Sequence, residues 1–250
     1  MRHETESDGV AMSSTAGLLG TLGRAVASTK ARSAVREPVA ETSWAGDFAA
    51  EQTRTLVRQV FFPGWPRPAR QVVFSGVDDG EGVADVALRV AQELGRQVPA
   101  KVCVVEACRD SETNGMNALV PGEGWTGGEE ATNDVPGLRI GKNVWLVSEP
   151  EFRGGLREEL SVFGMRDRLL ELRRAFEYMV IHAAPALRRG ETALLGQVAD
   201  GVVLVLNAEE TRRISAQKAK AVLERSNARL VGIVLNRRSF PIPERLYRRL

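Results

Sequence analysis

The residues with the clearest chemical potential lie in Val72-Val-Phe-Ser-Gly-Val-Asp-Asp-Gly-Glu-Gly82, an apolar run that opens into a glycine-rich turn. Such a strand, turn and following helix aim backbone N–H groups and a helix N-terminus at an anion, and Gly76, Gly80, Glu81 and Gly82 frame the turn. A working phosphate loop of the G-x-x-x-x-G-K-[ST] kind also needs a lysine and a hydroxyl after its last glycine. Here those slots hold Val83 and Ala84. Asp78 and Asp79 place carboxylates in the loop itself, which opposes a triphosphate unless a metal intervenes. Three further groups sit where apolar runs end. Glu106 keeps a carboxylate able to bind Mg²⁺ or orient water, Cys108 is a thiol with only Arg109 beside it in sequence, and His182 suits acid–base work, metal ligation or plain polar filling. Tyr247, between Arg245 and Arg248-Arg249, is a candidate phosphate acceptor, although Leu246 and Leu250 also suit it to ordinary helical packing.

The elements that must position these residues alternate in kind. Strand-like runs occur at Gln71–Ser75, Val102–Glu106, Val144–Val147, Tyr178–His182, Gly201–Leu206 and Leu230–Leu235, with helical periodicity between several of them. Near-continuous aliphatic strands separated by helices predict a doubly wound, mainly parallel α/β sheet covered on both faces. The helix after the first strand carries Val83, Val86, Ala87, Val90, Ala91 and Leu94 on one side, and Gly95 is placed to end it as a C-cap. A second helix, Met165 to Phe176, has Met165, Leu169, Leu172 and Phe176 on one stripe. Arg212, Arg213, Lys218 and Lys220 form a basic side on a later helix.

The organisation read from the chain is one domain over 47–250 behind a flexible or weakly helical tail, 1–46. A leading helix covers 47–62 and stops at Pro63-Gly64-Trp65-Pro66. Residues 110–143, rich in Gly, Pro, Asn and Glu, are too long and irregular for a routine connection and read as an insertion or contact loop. A length of 250 residues, 43% hydrophobic and 26% charged, describes an ordinary globular protein, and a net charge of +2 is too small to argue for nucleic acid, which is not expected as a partner. The two cysteines, Cys103 and Cys108, have no companions at metal-ligand spacing and read as reduced, buried thiols. No apolar run approaches the ~18 residues of a membrane span, and Met1-Arg-His-Glu-Thr-Glu-Ser-Asp8 lacks the order of a secretory signal. A cytoplasmic location is expected, with any membrane link running through a partner.

Taken in order, these pieces resemble the cytoplasmic domains of bacterial tyrosine autokinases (BY-kinases). These are P-loop proteins of capsule and exopolysaccharide biosynthesis, related to the MinD/ParA ATPases. The resemblance covers roughly residues 47–250. It rests on the Asp79-Gly-Glu-Gly82 turn, on Val102-Cys-Val-Val-Glu-Ala-Cys-Arg109 where the family has a strand into Asp-x-Asp-x-Arg, and on Phe176-Glu-Tyr-Met-Val-Ile-His-Ala-Ala-Pro185 where it ends a strand in Asp-x-Pro-Pro. Ala199-Asp-Gly-Val-Val-Leu-Val-Leu206, Thr211-Arg-Arg213 and Gly232-Ile-Val-Leu-Asn236 match the last two strands and the helix between them.

The resemblance implies a P-loop NTPase fold of MinD/ParA type, with a vestigial nucleotide site at Gly76, Gly80, Glu81, Gly82 and Asn236. It also shows what is substituted. The lysine and hydroxyl slots are Val83 and Ala84, the two aspartates of Asp-x-Asp are Glu106 and Cys108, and the aspartate before the proline pair is His182. The family's self-association helix, Glu-x-x-Arg-x-x-Arg, keeps Glu51 and Arg54 but has Val57 third, with Arg58 one place late, and its C-terminal tyrosine cluster is reduced to Tyr247. The expectation is a catalytically degenerate relative, a regulatory or scaffold subunit of exopolysaccharide assembly and export. Its partner would be a membrane-embedded chain-length regulator or a related kinase subunit, in a homo- or hetero-oligomer. No cofactor is expected, although ATP and Mg²⁺, the latter at Glu106, belong to the alternative of an active autokinase or ATPase with unusual ligands. A second alternative is a MinD/ParA-like positioning ATPase.

Overall fold

The computed structural model describes residues 43–62, 68–79, 82–108, 116, 135–154 and 161–237. These lie within one unit, Thr42–Leu250. Most of the expected tail, Gly80, Glu81, Tyr247 and most of 110–143 lie outside the described residues.

Seven strands form one sheet in the order β3-β4-β2-β5-β1-β6-β7. They are β1 (Gln71–Gly76), β2 (Val102–Glu106), β3 (Leu138–Arg139), β4 (Val144–Val147), β5 (Tyr178–His182), β6 (Gly201–Asn207) and β7 (Leu230–Asn236). All pairs are parallel except β3 with β4. The six runs seen in the sequence are therefore strands, and the seventh is a two-residue antiparallel edge inside the stretch that reads as irregular. Two residues carry no periodicity, which is why this strand leaves no trace in the pattern.

Alternation along each strand splits the side chains between two cores. Val72 and Phe74 of β1 with Val102 and Val104 of β2 face one side. Val73, Cys103 and Val105 face the other. The first core is covered by α1 (Ser43–Phe61) and α2 (Val83–Gln97), through Val57, Val60 and Phe61 and through Leu88, Ala91 and Leu94. The second is covered by α4 (Val162–Ala175), α5 (Glu191–Val198) and α6 (Arg213–Arg225), through Leu169, Leu172, Leu195 and Leu223, with Phe152 added from the short α3 (Glu149–Arg153). Both faces of the central strands are thus dry, as their unbroken apolar runs require.

Two boundaries differ from the sequence pattern. Helix α1 starts at Ser43, four residues before the periodic stretch. Gly95 does not cap α2, which continues to Gln97 and is closed at Val98. The glycine is there for close approach, since a Cβ at Gly95 would lie 2.5 Å from Val144 Cγ2 of β4. At the amino ends of the strands, the Asp200 carboxylate accepts from Arg70 N and Gln71 N at 2.7 and 2.8 Å and lies 3.3 Å from the Arg173 guanidinium. One side chain thereby ties the start of β1 to the α5–β6 corner and to the end of α4.

Candidate nucleotide-like site at the switch point

Chain direction across the sheet reverses around β1. The chain leaves it toward β2 and β4 on one side, then returns through β5 and continues to β6 and β7 on the other. In open α/β sheets the crevice beyond the carboxyl ends of the strands at such a switch point is where ligands bind. The described loop and strand-end residues singled out in the sequence lie there.

Gly82 is the N-cap of α2, with φ 67° and ψ 28° and no side chain capping the helix. The positive φ favours glycine. Crowding reinforces it, because a Cβ would sit 2.8 Å from Asn236 Nδ2 and 3.8 Å from an Arg237 guanidinium nitrogen. The end of β7 therefore leans over the first turn of α2, and Arg237, itself at φ 53°, brings a cation there. Val83 is buried and Ala84 partly so, and their alkyl side chains can hold neither a phosphate nor a metal.

Opposite the loop, the segment after β5 is stitched to β1. Ala183 N donates to Phe74 O at 2.9 Å and Ala186 N to Gly76 O at 2.8 Å. The Ala184 carbonyl accepts from both Ser75 Oγ, at 2.7 Å, and Thr192 Oγ1, at 2.5 Å. This fixed segment carries Arg188, whose guanidinium pairs with the Asp79 carboxylate. One of the two loop acids is thus neutralised from across the crevice.

The strand-end groups are brought together by register. Glu106 of β2 stands opposite His182 of β5, and Ala107 N donates to His182 O at 2.9 Å. Cys108 Sγ lies 3.3 Å from His182 Nδ1, both side chains being buried. Glu106 is buried as well, and its Oε1 accepts from Met116 N at 2.8 Å. Mg²⁺ takes hard oxygen ligands in a near-octahedral set. Of the three strand-end side chains Glu106 alone offers hard oxygen, and one of its oxygens already accepts a backbone N–H, while Cys108 and His182 contact each other. No group of three or more His, Cys, Asp or Glu side chains able to hold a metal occurs among the described residues. The other thiol, Cys103, is inert for a different reason: full burial, with the Glu151 charge adding to it, pushes its pKa far above the ordinary thiol value.

The structure therefore brings together Gly76, Gly82, Val83, Ala84, Asn236, Glu106, Cys108 and His182. Glu51, Arg54 and Arg58 lie apart on α1, where Arg54 contacts Glu51 at 2.9 Å and Glu93 of α2 at 3.6 Å. Sequence reasoning missed Arg188 and Arg237 as neighbours of the loop, and it missed the contact between Cys108 and His182.

Strand order, glycine turn and switch-point crevice define a P-loop NTPase fold of the MinD/ParA type, with a mostly parallel sheet. A chain of the MinC:MinD cell division protein complex of Aquifex aeolicus shares it at a TM-score of 0.52, 15% identity and 72% coverage of each chain. The relatives matched by sequence are bacterial tyrosine-protein kinases. YwqD of Bacillus subtilis is 23% identical over 198 residues, 75% of this chain and 80% of the relative. The kinase domain of the Escherichia coli tyrosine kinase ETK matches with a TM-score of 0.56 at 16% identity, over 78% of this chain and 79% of that one. No protein-family model matches the chain.

Proposed function

We propose that this chain is a catalytically degenerate, tyrosine-kinase-like P-loop protein that acts by binding other proteins, as a regulatory or scaffold subunit of exopolysaccharide assembly and export. The observation that carries the degenerate reading is the Cys108–His182 contact, 3.3 Å from sulfur to nitrogen at the strand ends. Phosphoryl transfer depends on cations and metal ions that neutralise charge on the moving phosphate. With Val83 and Ala84 in the loop and a thiol–imidazole pair at the strand ends, the loop lysine, the loop hydroxyl and the Mg²⁺-binding aspartates are replaced together. One lost charge-assisted hydrogen bond costs roughly 1.5–3 kcal/mol, and several lost from one transition state compound.

The pathway, and a membrane-embedded chain-length regulator or related kinase subunit as partner, follow from the likeness to tyrosine-protein kinases. No helix among the described residues is long and apolar enough to cross a membrane. In this reading membrane attachment belongs to the partner.

A second reading, ATP binding through unusual ligands, is favoured by Arg237. Its guanidinium lies within 4 Å of the Gly82 Cβ position, so a positive charge stands by the loop although the lysine is gone. Titration with a fluorescent ATP analogue, with and without Mg²⁺, separates the two. The degenerate reading expects no saturable binding in the micromolar range. Saturable binding that Gly82→Asp and Arg237→Gln abolish establishes the second reading instead.

A further inference from the structure

The amino ends of the three central strands, the pole opposite the glycine turn, border a cavity of about 620 Å³. Arg70 precedes β1, Lys101 precedes β2, Glu177 precedes β5, and Arg173 and Arg174 close α4; all five line the space. A strand of five or six residues puts this cavity roughly 17 Å from the switch-point crevice.

Its charge is not balanced. Arg70 reaches Glu177 at 3.3 Å and Arg173 reaches Asp200 at 3.3 Å. Among the described residues no carboxylate pairs with Lys101 or Arg174, and the Lys101 ammonium instead lies 5.7 Å from the centroid of the Trp145 ring. The backbone beneath these cations is tied by hydrogen bonds. Glu177 N and Tyr178 N both donate to Lys101 O, at 3.1 and 3.4 Å, Met179 N donates to Arg70 O at 2.7 Å, and the Asp200 carboxylate holds Arg70 N. Four cations border this open, solvent-facing depression, and among the described residues two of them have no carboxylate partner, which makes the space attractive to negative charge.

We infer that this cavity is a second binding site, for a small anion bearing two or more phosphate or carboxylate groups, with Lys101 and Arg174 as its principal ligands. A single carboxylate would leave one of the two cations unanswered. An extended polymer would use the cavity only as one stop on a longer track.

Calorimetric titration of the full chain with pyrophosphate, and separately with citrate, tests this. Saturable one-to-one binding at low salt is expected, weakened about tenfold by Lys101→Gln or by Arg174→Gln, since each removes one charge-assisted contact. Arg89→Gln, on the exposed side of α2 and away from both poles, leaves it unchanged. Both pocket residues are exposed, so their variants keep the wild-type circular dichroism. Sedimentation with phosphatidylglycerol vesicles separates a free anion from a lipid headgroup, and retention no greater than with neutral vesicles is expected. Absence of binding up to millimolar anion overturns the inference, as does binding that survives the double variant, binding that Arg237→Gln abolishes, or binding to vesicles alone.

Discussion

Burial and partnership give the two thiols different chemistry. Cys103 is enclosed in the second core and burial holds it protonated, so it contributes volume and nothing else. Cys108 is equally hidden but has an imidazole nitrogen 3.3 Å away. Iodoacetamide is therefore expected to label neither in the native state, with labelling at both tracking global unfolding in urea; rapid label at Cys108 alone shows that the pair opens locally. His182→Ala takes a hydrogen-bonding partner from a buried thiol, and a loss of about 1–2 kcal/mol in urea unfolding is expected. Gly95 makes a sharper residue-scale case. With Val144 Cγ2 only 2.5 Å from where a methyl group would sit, Gly95→Ala must push α2 off β4, and a cost of about 1–3 kcal/mol is expected despite the helix propensity gained.

Elements are readable from the chain where their burial is one-sided or continuous. The stripe Val83, Ala87, Val90, Ala91, Leu94 faces the first core as its spacing requires. So do Met165, Leu169 and Leu172 toward the second. The N-terminus of α4 is fixed by Ser161, whose Oγ accepts from Gly164 N at 3.0 Å, and this places the helix start three residues ahead of the apolar stripe. Contacts between elements are another matter. Cys108 and His182 are 74 residues apart, and Arg70 and Asp200 are 130 apart. Only the parallel register and the strand order bring them together, and neither is written in local periodicity. The glycine turn, and the absence of its lysine and hydroxyl, can be read directly; Arg188 and Arg237 cannot, because nothing local marks an exposed arginine as the neighbour of a distant loop. Asp200 shows what such contacts are worth. Asp200→Ala removes the acceptor of two backbone N–H groups and of Arg173, and equilibrium unfolding is expected to lose about 2–4 kcal/mol.

At the scale of the molecule, the sheet separates two poles of opposite design. The carboxyl-end pole joins a glycine turn to a thiol–imidazole pair and an Asp79–Arg188 bridge across the crevice. The amino-end pole gathers arginines and a lysine. Helix α1 belongs to the body of the fold, since Val57 and Phe61 are fully buried and Arg54 contacts Glu93 of α2. A chain truncated to start at Arg67 is expected to lose cooperative unfolding, because burying each such side chain contributes about 1.5–3 kcal/mol against a total stability of about 5–15 kcal/mol. A sharp two-state transition in that fragment shows α1 to be dispensable.

The thiol–imidazole contact also bears on how this sequence could change. Cys108→Asp alone sets a carboxylate against the imidazole, and the two close into a buried ion pair. His182→Asp alone buries a carboxylate beside a thiol that cannot neutralise it. Each single change alters what the other side chain faces, so the positions are energetically coupled. A double variant carrying both aspartates is therefore expected to differ from the sum of the two single ones, because each side chain sets the charge that the other must meet.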